Sequence, residues 1–206
     1  MQSNKFTIRS IEAYANNWWQ SEDARYYENA SALLAELIII ADKIKKDWPA
    51  EKSSINKTEY PNLYELGRKR DLVSDSVLIF SAMAVEGFVN FYGVLRLGEK
   101  VYQEYFERLP QDKKIKALLL FCDATDIDNS HTLIKLSTKL ARKRNNLLHP
   151  KTKEFSQLPA WESRSCSDTP ETAIQAVKYL DDFFIEFVSL VPEANWLIPS
   201  KLKISS

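Results

Sequence analysis

The sequence predicts an all-α fold, a single antiparallel helical bundle with an N-terminal extension. Three observations predict it. Only four of 206 residues are glycine, fewer than the turns of an all-β chain need. Apolar residues recur at spacings of three and four along several long stretches, the period of a helix with one buried face. Prolines 49, 110, 170 and 192 stand at the edges of those stretches, where a residue without an N–H starts or stops a helix.

A chain of 206 residues with 45% hydrophobic content fits one domain with a real core. Residues 1–20 read as an N-terminal arm, 21–191 as the helical bundle and 192–206 as a C-terminal tail. In the arm, Ile11, Tyr14, Trp18 and Trp19 offer packing surface. The first helix is expected over Ser21–Trp48, with Leu33, Leu34, Leu37, Ile38, Ala41 and Ile44 in helical spacing and Pro49 as its stop. Polar Ala50–Asn62 reads as a surface loop, and Leu63–Gly67 as one extra helical turn.

The longest apolar helix is expected over Asp71–Leu97. Asp71 and Asp75 would sit near its start, where carboxylates suit the helix dipole. It is apolar nearly all round, which suits the middle of a bundle. Glu86 and Asn90, one turn apart, interrupt it with a polar strip. A short helix over Glu99–Leu109 is stopped by Pro110. A further helix over Gln111–Phe121 carries Ile115, Leu118, Leu119 and Phe121 on its apolar side and Lys113, Lys114 and Lys116 on its exposed side. Cys122–Ser130, with Asp123, Asp126 and Asp128, reads as a solvated acidic turn without the glycine and glutamate of a calcium loop. Ser130 then caps a helix that runs to about Leu148. Lys151–Thr169 is polar and lacks periodicity. Thr169-Pro170 opens the last helix, whose Ile174, Val177, Leu180, Phe184, Phe187 and Val191 hold helical spacing up to Pro192. Trp196, Leu197 and Ile198 are expected to dock the tail on the bundle.

Charge and cysteine usage exclude several classes. Formal net charge is zero, which argues against a dedicated non-specific nucleic-acid binder, though not against an enzyme that touches a few phosphates. Cys122 and Cys166 are isolated, with no C-x-x-C, so neither a disulfide framework nor a zinc site is implied. With no signal peptide visible, a reducing cytoplasm is the expected location. Val77–Leu97 is apolar enough to suggest a membrane span, but Glu86 near its middle would cost about 2.5–3.5 kcal/mol there. A buried bundle helix is the expectation, with no membrane partner. The sequence contains no G-x-S-x-G, P-loop or H-E-x-x-H pattern.

Chemistry concentrates in Lys139–Pro150. Leu133, Leu136, Leu140 and Leu147 mark a buried stripe, and Arg144 falls on it, four after Leu140 and three before Leu147. An inward arginine costs several kcal/mol unless it is paired. The stripe therefore opens onto a cleft there or meets an acid, and Glu86, which breaks the other apolar pattern, is the expected partner. Pro150 pushes His149 out of the α region, ending the helix near Leu148 and freeing the imidazole to turn back toward Arg144. A guanidinium and an imidazole at one helix end form an anion site in which one member also moves protons. The other histidine, His131, reads as structural. Lys135, Lys139 and Arg142 or Lys143 form a basic ridge, open to two readings: a solvated helix face or an RNA track.

Arg144-Asn145-Asn146-Leu147-Leu148-His149 resembles the R-x(4–6)-H signature of the HEPN superfamily, small all-helical domains. The upstream stretch Ala84-Val85-Glu86-Gly87-Phe88-Val89-Asn90 is also similar to that family. The resemblance spans about Asp71–Leu190 and implies a HEPN-like bundle. It further implies a metal-independent endoribonuclease that needs no cofactor, of the kind found among toxins and phage-defence effectors, with a cognate antitoxin as a possible partner. Arg144, His149 and Asn145 would be the catalytic set, Glu86 and Asn90 would support it, and Lys139, Arg142 and Lys143 would contact RNA. Ribose supplies its own nucleophile, the 2′-hydroxyl, leaving the protein to move protons and stabilise the charged phosphorane. One histidine per chain is thin for two proton transfers, and the family's solution is a homodimer with a composite cleft. Other members are silent dimerisation or partner-binding modules, in which Arg144 would only hold the fold.

Overall fold

The computed structural model describes residues 7–11, 22–52, 55–148, 163–164 and 170–203. Its elements are α1 (Glu22–Asp47), β1 (Ile55–Asn56), α2 (Pro61–Leu97), α3 (Glu99–Tyr105), α4 (Gln111–Asp123), α5 (Thr132–Leu148), β2 (Ser163–Arg164) and α6 (Pro170–Leu190), followed by 3₁₀ turns at Pro192–Trp196 and Ser200–Leu202. The all-α class holds: strand structure among the described residues is one two-residue ladder, Ile55 opposite Arg164 and Asn56 opposite Ser163. That ladder lies partly within the stretch expected to be loop. It ties the α1–α2 connection to the segment that follows α5.

The 37-residue α2 is the axis of the fold. It begins at Pro61, ten residues before the expected start, because proline at N1 is preorganised for a helix and Gly67 is tolerated within it. Asp71 and Asp75 therefore lie well inside α2 and not in its first turn. Asp71 instead accepts from the buried Arg70 guanidinium at 3.1–3.2 Å, and burial raises the Asp75 carboxyl above its ordinary value. By length and hydropathy α2 is capable of crossing a membrane. Here most of its apolar positions are packed against α1, α5 and α6, while Leu72 stays exposed.

Cross-helix pairs give the directions. Asp23 lies against Gly87, Tyr26 against Phe80 and Glu36 against Lys69, so α1 runs opposite to α2. Phe88 meets Phe184 and Tyr92 meets Phe187, so α6 advances with α2. Tyr179 receives Lys139 and Lys143, while Glu186 faces His131, so α5 runs opposite to α6. The core centres on Phe88, fully buried, with the rings of Phe183, Phe184 and Phe187 edge-on at 6.2, 5.1 and 4.9 Å. Edge-to-face geometry aligns the positive ring edge with the negative face and fixes the α2–α6 register.

Gly93 shows how closely α2 and α3 pack. A Cβ there would come within 2.5 Å of the Tyr102 ring. Gly93→Ala is expected to destabilise the protein by about 1–3 kcal/mol, because overpacking outweighs the gain in helix propensity of about 1 kcal/mol. Urea unfolding checks this, and a stabilised variant would show that Tyr102 moves freely. Gly98 breaks the chain between α2 and α3 with φ of 79°, a conformation that suits glycine.

Other expectations are corrected at element ends. The helix expected over Glu99–Leu109 ends at Tyr105, with Phe106 N–H donating to the Tyr102 carbonyl as its terminus. His131, not Ser130, precedes α5, and its Nδ1 accepts from Leu133 N–H at 3.3 Å. Ser130 instead donates to Asp128 through both N–H and hydroxyl. Asp123 is not a solvated turn residue. It closes α4 and meets the buried Arg96, whose Nη1 donates to Asp123 Oδ1 at 2.6 Å and to Tyr92 Oη at 3.0 Å. Arg96 Nη2 donates to the Cys122 carbonyl at 2.6 Å, and the Tyr92 hydroxyl donates to the other Asp123 oxygen. Burial pushes the Cys122 thiol up to about 12, against the pull of Arg96.

In the arm, Ile11 is fully buried, and Arg9 N–H donates to the Arg96 carbonyl at 2.9 Å. Tyr14, Trp18 and Trp19 lie outside the described residues. In the tail, Ile198 is buried and Leu197 packs on the core, whereas Trp196 stays 40% exposed and does not dock as expected.

Candidate functional site

The α5 stripe turns Leu133, Leu136 and Leu140 into the core. One turn later the same face carries Arg144, and its Nη1 donates to Glu86 Oε2 on α2. The expected pairing is thus present, with the Arg144 and Glu86 side chains 24% and 42% exposed. This partial exposure leaves the pair accessible to a ligand. Arg144 Nε and Nη2 both donate to Asn145 Oδ1 at 3.2 Å, so the neighbouring amide steadies the guanidinium plane. His149 follows Leu148 in the chain and lies outside the described residues, as does Lys151–Thr169 apart from Ser163 and Arg164.

The Glu86–Arg144 pair is a wall between two cavities. On one side an apolar groove of about 360 Å³ is lined by Tyr26, Ile79, Met83, Gly87 and Leu148. On the other, a smaller polar cavity of about 140 Å³ lies between α2, α4 and α5. Lys114, Glu107, Gln111 and Ser137 line the polar cavity. None of these four was singled out from the sequence as a site residue.

Lys114 was expected on the exposed side of its helix. It is only 4% exposed. Its Nζ donates to Asn90 Oδ1 at 2.8 Å and lies 5.7 Å from the Tyr102 ring centre. Asn90 Oδ1 also accepts from the Tyr102 hydroxyl at 2.5 Å. The hydrogen bonds of the Asn90 side chain thus run to Lys114 and Tyr102, not to Arg144, and Asn90 is not among the residues that line the cavity. A positional signal was available: Lys114, Leu118 and Cys122 follow one another at intervals of four, which places Lys114 on a buried stripe by the argument used for Arg144. Ser137 likewise shares a face with Ile134, Ala141 and Arg144.

Burial holds the Lys114 ammonium below its ordinary value of 10.5, while the charges of Glu86 and Glu107 oppose that shift. The sign of the linkage follows. Between the lowered folded value and 10.5 the unfolded chain binds more protons, so this group makes stability rise with pH across that window. The raised Cys122 thiol and Tyr102 hydroxyl act in the opposite sense above about pH 9 in any variant, so the rise is expected in the difference between wild type and Lys114→Met, measured by urea unfolding from neutral pH to about 10.5. Parallel pH profiles for the two proteins would contradict the assignment. Burial also raises the Tyr102 hydroxyl, with Glu107 and Glu86 adding to the effect, so it stays protonated as a donor.

The basic ridge is divided by the fold. Lys139 and Lys143 place their Nζ atoms 4.8 and 5.8 Å from the centre of the Tyr179 ring on α6. Arg142 is exposed, and its position is rotated roughly 160° around the helix from Arg144. Arg142 thus lies on the far face from the cavity, and the two lysines flank an aromatic surface between α5 and α6. No group of three or more potential metal ligands occurs among the described residues.

Comparison with protein-family models, curated proteins and solved structures finds no match to this chain.

Proposed function

We propose that this protein is a metal-independent endoribonuclease of the HEPN type, built on a HEPN-like helical bundle. One observation carries the reading. Arg144, the first residue of the R-x4-H pattern, is turned inward beside a polar cavity and held there by Glu86 and Asn145. A guanidinium with a fixed plane, its side chain 24% exposed, is suited to bidentate contact with phosphate oxygens. In the proposed reaction the ribose 2′-oxygen attacks the adjacent phosphorus and the 5′-oxygen leaves. The products carry a 2′,3′-cyclic phosphate and a 5′-hydroxyl. His149 moves the protons, Arg144 stabilises the phosphorane and Asn145 orients it. A homodimer supplies the second histidine, so that one removes the proton from the 2′-hydroxyl while the other protonates the leaving oxygen. A cytoplasmic toxin or defence effector, restrained by a cognate antitoxin, is the corresponding biological setting.

The test is cleavage of a mixed-sequence RNA in EDTA by the wild type and by His149→Ala, with end-group analysis for the cyclic phosphate and light scattering for the dimer. Equal inertness of both proteins would end the nuclease reading. The second reading, a silent dimerisation or partner-binding module, is favoured by the same ion pair: Glu86 neutralises Arg144 in place, which is what a purely structural arginine needs.

A further inference from the structure

The polar cavity beside Arg144 has unmet hydrogen-bonding capacity of a particular pattern. An ammonium has three N–H donors, and among the described contacts Lys114 donates only to Asn90. Ser137 is 1% exposed and its hydroxyl has no partner. A buried hydroxyl left unpaired is costly, and a ligand in the cavity would recover that cost. Glu107, on the exposed turn after α3, brings a carboxylate to the same cavity. The walls between these groups include the apolar side chains of Val85 and Leu109.

Size and charge narrow the occupant. About 140 Å³ is well below the roughly 300–1,000 Å³ of pockets that take a whole drug-sized molecule, so the cavity suits one planar ring system. Its charged lining residues are Lys114, Arg144, Glu86 and Glu107, two of each sign. A further anion would find no excess of positive charge. A neutral group with acceptors along one edge and donors along another would find both.

We propose that the cavity takes a guanine base of the RNA, with Lys114 donating to its O6/N7 edge and Glu107 accepting from N1–H and N2–H. Ser137 supplies a further hydrogen bond. This rests on the nuclease reading and adds a substrate preference to it: cleavage next to guanine. Adenine presents its N6 amino group where guanine has an acceptor, against the ammonium, and cytosine does the same with N4. Uracil offers one N–H where guanine offers two donors to the carboxylate.

The experiment has two arms. In the first, the intact protein is titrated calorimetrically with guanosine, adenosine, cytidine, uridine and inorganic phosphate. Guanosine is expected to bind at least about tenfold more tightly than the other nucleosides, from the donor–acceptor mismatch each of them carries. Glu107→Gln, a change on an exposed turn, is expected to abolish that preference without altering the fold. Equal binding of all four nucleosides, binding of phosphate in preference to guanosine, or an unchanged preference in Glu107→Gln would overturn the assignment. In the second arm, RNA cleavage positions are mapped. Cutting with no guanine preference overturns the pocket and leaves the nuclease standing. Guanosine binding without any cleavage supports the pocket and overturns the nuclease.

Discussion

Asp123→Asn is expected to destabilise the protein by about 3–5 kcal/mol, because it leaves the Arg96 charge buried without its counter-ion. The Arg96 and Asp123 side chains are 8% and 11% exposed, so water cannot replace the lost carboxylate. The amide keeps one acceptor, but the charge that offsets the guanidinium is gone. The Tyr92 hydroxyl also loses its bond to a charged acceptor. For a chain of this length the loss corresponds to a drop in Tm of roughly 6–20 °C. Replacing both partners, as Arg96→Met with Asp123→Leu, removes the stranded charge and is expected to recover much of the loss. Thermal and urea unfolding of the three proteins check this. A single variant within 1 kcal/mol of wild type would mean that the pair is far wetter than the structure places it.

Arg144→Ala carries the largest expected functional effect. If Arg144 stabilises the phosphorane, its loss lowers RNA cleavage by about 10²–10³-fold, as for removal of one transition-state donor elsewhere. Arg144→Lys should rescue little, since a point charge cannot reproduce a planar fork. Stability is expected to change much less. Ion pairs of this exposure contribute about 0–1 kcal/mol, so the two roles of Arg144 separate by magnitude. Glu86→Gln completes the comparison: it preserves the shape of the acceptor, removes the charge that orients the guanidinium, and is expected to lower cleavage with an equally small stability change. An Arg144→Ala protein that unfolds several kcal/mol earlier, with no cleavage by the wild type to lose, would favour the silent module.

Several features were legible in residue order alone. Helical periodicity located every long helix among the described residues, since apolar spacing is a local property that packing rarely overrides over many turns. The inward aim of Arg144 was readable for the same reason, from its place between Leu140 and Leu147 on one stripe. Its pairing with Glu86 followed from two pattern breaks that each needed the other. Element ends were less legible: Gly67 and Asp71 suggested a break in α2 that the proline at position 61 and packing on α1 override.

What residue order determined, then, is where the long helices lie and, for α5, which stripe turns inward, because apolar spacing depends only on the rise and rotation of one helix. The tertiary structure decided what those faces meet. It brought Asn90 to Lys114, Asp123 to Arg96, and Ser137 into a cavity with Glu107. A buried charge or hydroxyl is tolerable only where another element delivers a partner or a ligand, and that delivery depends on the packing of helices far apart in the chain.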